Sequence, residues 1–140
     1  MRLKAAAGVV LALAGGIAIA GYLHVGERAY YPVARVAAPD GLTYTAFADE
    51  TRGRDACIEA NQSFLEDFRL GCPTCIVESA RCESREEAIK LRVAISDPVV
   101  VSRGMSLAVA GPRDVAAATC RSIVEDLVKR GFESTRCLAQ

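Results

Sequence analysis

The chain has 140 residues, with 17 basic and 17 acidic side chains, six cysteines and no Trp. Setting aside Arg2 and Lys4 of an apolar N-terminal segment leaves 15 basic against 17 acidic side chains, a net of −2. That balance argues against a nucleic-acid partner, which needs an excess of phosphate-neutralising Lys and Arg, and about 110 residues make one small domain but would starve two of core.

Residues 1–25 read as a signal peptide or a single transmembrane anchor. Arg2 and Lys4 precede an uncharged run from Ala5 to Val25, and Ala18-Ile19-Ala20 before Gly21 has the small-x-small form that a signal peptidase cuts. As a helix, Ala5 to Leu23 is nineteen residues. That is roughly 28 Å, enough to span a bilayer. Eleven of the nineteen are Ala or Gly, which favours cleavage. Tyr22, Tyr30 and Tyr31 resemble an interfacial aromatic belt, which favours an anchor. Gly8, Ala12, Gly16 and Ala20 fall on one helical stripe of the kind that lets membrane helices pack closely. Either outcome delivers the rest of the chain outside the cytoplasm.

Residues 26–41 mix charges with Pro32, Pro39 and Gly41 and read as a tether, so the domain is expected over residues 42–140. Leu42 to Phe47 is β-branched and aromatic, a first strand. Cys57, Ala60, Asn61, Phe64, Leu65 and Phe68 then recur at helical spacing, an apolar stripe interrupted by Asn61, with Gly71 as a left-handed stop. A strand follows from Ile76 to Cys82. Ser84 and Glu87 have capping-box spacing, but Ile89, Leu91, Val93 and Ile95 alternate with Lys90, Arg92, Ala94 and Ser96, which predicts a strand over 88–96. After Pro98 come a Val99–Val101 run and a strand from Met105 to Ala110. Gly111-Pro112 opens a second helix, with Ala116, Cys120, Ile123, Val124 and Leu127 on its buried side and Gly131 at its end.

Val77-Glu78-Ser79-Ala80-Arg81-Cys82 recurs as Phe132-Glu133-Ser134-Thr135-Arg136-Cys137, each copy downstream of a helix carrying one cysteine. The chain is therefore two similar halves, and the element order fits a ferredoxin-like split βαβ α+β sandwich. Helical rise from Cys120 to Gly131 is roughly 16 Å, and extended rise from Gly131 to Cys137 roughly 20 Å, which brings the two sulfurs to one level. The same arithmetic matches Cys57 with Cys82, leaving Cys72 with Cys75. Strand parity places Glu78 and Glu133 beside Cys82 and Cys137, so both carboxylates are expected to face the helices.

No catalytic set emerges. Cys72-Pro73-Thr74-Cys75 has redox-motif spacing, but it follows a helix C-terminus, whose negative end disfavours a thiolate. A thiol–disulfide redox protein using Cys72 and Cys75 is the alternative to a structural staple. Cys72, Cys75 and Cys82 could ligate zinc only by taking Cys57 from its bridge, so no metal or cofactor is expected. His24, the only histidine, lies in the leader region, which leaves a Ser-His-Asp triad without a base. Nothing brings Glu78 near Glu133 for acid and base work.

Val109, Gly111-Pro112, Ala117, Leu127 and Gly131-Phe132 of the second half fall where SPOR peptidoglycan-binding domains place similar residues in their strand, turn and helix. The resemblance spans Val109 to Phe132 and not the first half. It implies an envelope location, a duplicated βαβ form and a glycan-binding role. The sequence thus points to a non-enzymatic, exported binding or accessory protein of the cell envelope. It would be periplasmic, or anchored in the inner membrane by an uncleaved N-terminal helix with its domain on the periplasmic side. Its expected partner is an envelope protein or a cell-wall component.

Overall fold

The computed structural model describes residues 28–138. The leader expectation, including the Gly8, Ala12, Gly16, Ala20 stripe and His24, lies outside the described residues. Among the described residues, no helix is long and apolar enough to cross a membrane.

The domain is α+β, with three helices against an antiparallel sheet and three disulfides. Its first half runs β1 (Ala29–Ala37), β2 (Thr43–Ala48), the two-residue β3 (Thr51–Arg52), α1 (Arg54–Gly71) and β4 (Ile76–Glu83). A connecting helix, α2 (Arg85–Val93), leads to the second half: β5 (Val99–Ser102), β6 (Met105–Ala110), α3 (Arg113–Lys129) and β7 (Arg136–Leu138).

The sheet order is β4-β1-β2-β6-β5-β7, with β3 beside the first residues of β1. Each half is a hairpin, a helix and a returning strand that lies outside the hairpin. The two central strands, β2 and β6, join the halves in register from Thr43↔Ala110 to Ala48↔Met105. This order differs from the ferredoxin-like expectation, in which the halves interleave and each outer strand lies beside the other half's central strand. Here β1 separates β4 from β2, and β5 separates β7 from β6. The cause is local: each central strand has a hairpin partner already in place, closed at Gly41 (φ 87) or Gly104 (φ 81), where a left-handed backbone favours glycine.

The expected tether is therefore largely a strand. β1 pairs with β2 from Val33↔Phe47 to Ala37↔Thr43 and with β4 from Tyr31↔Glu83 to Ala37↔Ile76. Pro32 reads as a break in the sequence, yet it sits just beyond the end of the β1–β2 ladder, where a missing N–H costs no ladder bond to β2. Val36 and Ala34, both 1 % exposed, anchor the strand in the core.

The predicted strand over 88–96 is also replaced, by α2 and its exit. The Ser84 hydroxyl accepts from the Glu87 N–H at 3.4 Å, and Lys90 pairs with Glu86 at 2.9 Å and Glu87 at 3.2 Å. These local helix signals prevail over the alternation. In the helix Ala88 is buried, while Ile89 and Val93 face solvent.

α1 and α3 cover one face of the sheet. Leu42, Ala46, Val100, Leu107, Val109, Ala116 and Cys120 form the core, with Tyr44, Phe64, Ile123 and Leu127 packed against it. Alternation turns Thr45 and Phe47 to the opposite face, where the Arg92 guanidinium of α2 lies 5.3 Å from the Phe47 ring centroid. The helix ends differ from one another. Gly131 takes the expected left-handed conformation (φ 97), whereas Gly71 is the last residue of α1 and the chain turns at Cys72 (φ −141).

Candidate functional site

Cys57 bonds Cys82, Cys120 bonds Cys137 and Cys72 bonds Cys75, with Cα separations of 5.9, 5.8 and 5.4 Å. These are the pairs selected by the rise arithmetic. The first two tie each large helix to the outer strand of its own half, and Cys57 and Cys120 have no exposed surface. Among the described residues no cysteine is free and no three His, Cys, Asp or Glu side chains converge to hold a metal. Three closed disulfides are compatible with an exported protein in an oxidising compartment.

The two repeated glutamates go separate ways, and neither faces the helices. The β1–β4 ladder shifts register between Arg35 and Val36, next to Glu78, whose Oε2 lies 2.7 Å from the Arg35 Nε. Arg35 lines the α2 side of the sheet with Thr45 and Ser79. β7 begins only at Arg136, so Glu133 stands exposed in the turn before it. In place of a seventh-strand start, Thr135 is buried and its hydroxyl lies 3.0 Å from that of Ser102. Glu78 and Glu133 thus belong to opposite edges of the sheet and form no acid and base pair.

The most developed concave surface lies between the halves, where the C-terminal end of α1, the β1–β2 turn and α3 meet around a cleft of about 600 Å³. Its floor is Tyr44, Phe68, Leu107 and Ile123, and its rim carries Asp40, Asp67 and Asp126. The floor is one run of packed rings. Phe68 stacks at a tilt against both Tyr44 (5.6 Å) and Phe64 (5.7 Å), so the α1 stripe continues into the aromatic residue of β2. Burial, then the nearby Asp40 carboxylate, raises the Tyr44 phenol above its ordinary pKa. Asp126 is paired with Arg130 at 2.8 Å, and Asp40 accepts from the Leu42 N–H at 3.1 Å.

Cys72 and Cys75 form one wall of this cleft. The bridge follows the α1 C-terminus, with the Cys72 N–H donating to the Phe68 carbonyl at 2.9 Å and the Cys75 N–H to the Cys72 carbonyl at 3.2 Å. A thiolate there would meet the negative end of the helix and the Asp67 side. An apolar floor with an acidic rim has the chemistry to suit an apolar group that bears a positive charge.

A second, more polar groove runs between α1 and β4. Asn61, the polar interruption in the α1 stripe, lies beneath it, 6 % exposed, and its Nδ2 donates to the Arg81 carbonyl at 2.9 Å. Sequence reasoning did not find the inter-half cleft, because its rim comes from three elements. The usable signal was Phe64 and Phe68 one turn apart on a stripe that also had to meet Tyr44.

No family model matches this chain, and no curated protein or solved structure is significantly similar to it. The SPOR resemblance therefore rests on the residues of the second half alone.

Proposed function

We propose that the protein is a non-enzymatic binding or accessory module of the cell envelope, exported to an oxidising compartment, with the cleft between its halves as the principal binding surface. The observation that carries this reading is the cleft itself. It combines a preformed aromatic floor with an acidic rim, and the disulfide in its wall sits where the helix end disfavours a reactive thiolate. The domain stands on the periplasmic side, either soluble after cleavage before Gly21 or held by the uncleaved N-terminal helix.

The test is photo-crosslinking in the native envelope from a benzophenone amino acid placed at Ile123, on the cleft floor. A single crosslinked species that disappears when Asp40 and Asp67 are both changed to Asn supports the reading. Crosslinking indifferent to the rim refutes it. Glutathione titration separates the redox alternative: a Cys72–Cys75 bond reduced far more readily than the other two would mark a working dithiol. N-terminal sequencing of exported protein decides the anchor, since a start at Gly21 means cleavage and retained Arg2 means a membrane helix.

A further inference from the structure

The two large helices part over the middle of the sheet. α1 packs chiefly on β1, β3 and β4 and α3 on β5, β6 and β7, so the gap between them falls over β2. Tyr44 and Leu107 lie in that gap on the helix side of the sheet, since Tyr44 pairs with Val109 and Leu107 with Ala46, and Ala46, Leu107 and Val109 all belong to the core. Helical periodicity orients the walls in the same way. Asp67, Phe68 and Gly71 share one face of α1, and Ile123 and Asp126 one face of α3, at spacings of three and four. No Lys or Arg lines the cleft, while carboxylates reach it from three elements: Asp40 from the β1–β2 turn, Asp67 from α1 and Asp126 from α3. Asp126 is paired with Arg130. Asp40 and Asp67 are in no ion pair among the described residues, and Asp40 engages only Oδ1 with the Leu42 N–H. That charge reaches the floor: after burial, Asp40 is the second cause of the raised Tyr44 pKa.

Resting on the reading of this cleft as the principal binding surface, we infer that its occupant is a segment of a partner protein in which one apolar side chain is flanked by Lys or Arg. The placement of charge decides this. All three carboxylates are exposed at the rim and none is on the floor, so the occupant's charge belongs beside its apolar group, at the solvent boundary. An apolar centre inside an exposed charged rim is the layout of a protein–protein contact, in which one side chain anchors in the pocket and charged ones pair around it. Lys and Arg suit the rim because their stems lie along apolar surface while their charged ends stay in water. Asp40 and Asp67 come from different elements, which favours two cationic groups over one. Exposed pairs contribute little singly, so the charges select the segment and the apolar anchor holds it.

The experiment titrates the full oxidised chain, isotope-labelled for NMR, with the synthetic peptide Gly-Ser-Lys-Phe-Lys-Ser-Gly. Amide shift changes should centre on Tyr44, Phe68 and Ile123. Replacing Phe by Ser in the peptide should weaken binding about tenfold or more, and replacing both Lys by Glu should do the same. Added salt should weaken the Lys peptide and leave a version with Ser in place of both Lys unchanged. In the protein, Asp40→Asn with Asp67→Asn should abolish the preference for Lys over Glu while the Phe contribution persists. Equal binding of the Lys and Glu peptides at the cleft would overturn the inference and leave the cleft a binding surface. An absence of shifts at Tyr44, Phe68 and Ile123 with every peptide would overturn it too, and the crosslink from Ile123 then decides whether the cleft takes an occupant of other chemistry. The inference also falls if free phenethylammonium binds as tightly as the peptide, which would make the occupant a small amine, or if the chain self-associates through the cleft and the peptide does not displace the second copy.

Discussion

The disulfides allow a quantitative comparison. Removing a bridge in pairs, so that no thiol is left behind, frees the unfolded chain by an amount that grows with the closed loop. Cys57–Cys82 spans 25 residues, Cys120–Cys137 spans 17 and Cys72–Cys75 spans 3. Chain entropy assigns about 3.5, about 3.1 and less than about 2 kcal/mol to them. The first two also place a fully buried sulfur in the core, so replacing it by a methyl group adds a cavity cost of about 1 kcal/mol. A small domain has about 5 to 15 kcal/mol in total. Urea unfolding of Cys57→Ala with Cys82→Ala, and of Cys120→Ala with Cys137→Ala, should therefore show midpoints lowered by about 1.5 to 4 M, given a typical slope of about 1 to 3 kcal/mol per molar urea. The Cys72→Ala with Cys75→Ala variant should lose least. If it had the lowest midpoint of the three, the turn would be holding together more than its own loop, and its assignment as a staple would be wrong.

Gly111→Ala should destabilise by about 1 to 3 kcal/mol in the same assay, because a Cβ there would come 2.5 Å from Cδ2 of the fully buried Leu42; an unchanged midpoint would mean that this core can shift. Ser84→Ala should cost about 0.5 kcal/mol, at the low end for a helix cap given its 3.4 Å bond, and should speed amide exchange in the first turn of α2 while leaving α1 unchanged. Tyr44 has its folded pKa raised, chiefly by burial, so the stability linked to its neutral phenol is present below its unfolded value near 10 and is lost as pH rises through the folded value. Urea midpoints between about pH 9 and 11.5 should fall less steeply in Tyr44→Phe than in the parent, and parallel curves would show that Tyr44 does not sense burial.

The duplication and the covalent frame were legible in the sequence because both rest on one-dimensional quantities. A repeated hexapeptide and the different rises of helix and strand suffice to level Cys57 with Cys82 and Cys120 with Cys137. The sheet order was not legible, because it turns on Pro32. Its meaning depends on whether β2 still runs alongside at that point, and the ladder stops one residue short of it. α2 defeated the alternation from Ile89 to Ile95 because that pattern records only polarity. Ala88 packs inward, whereas Ile89 and Val93 are exposed, so the apolar letters were not the buried ones. Glu78 misled for a related reason: strand parity holds only without a register shift, and the shift falls between Arg35 and Val36. Asn61 was visible as an anomaly in its stripe, and its role needed the third dimension, where it meets the Arg81 carbonyl.

The position of the Cys57–Cys82 bridge also bears on why one outer strand can be long. A strand with a single neighbour has half the ladder bonds of a central one and frays first, so proteins commonly shorten such strands or block them with charge. β7 starts late, one residue before Cys137. β4 keeps eight residues, and it is held twice by α1, through the Cys82 sulfur and through the Asn61 bond to the Arg81 carbonyl. Both attachments come from the helix layer above the strand. Covalent fixation from above supplies part of the stabilisation that a second strand would give from the side, where among the described residues β4 pairs with β1 alone. A duplicated fold begins with two equivalent outer strands. Here one starts only at Arg136, just before its cysteine, and the other runs six residues ahead of its own, beside a groove, a difference between the halves that packing of the shared core does not require.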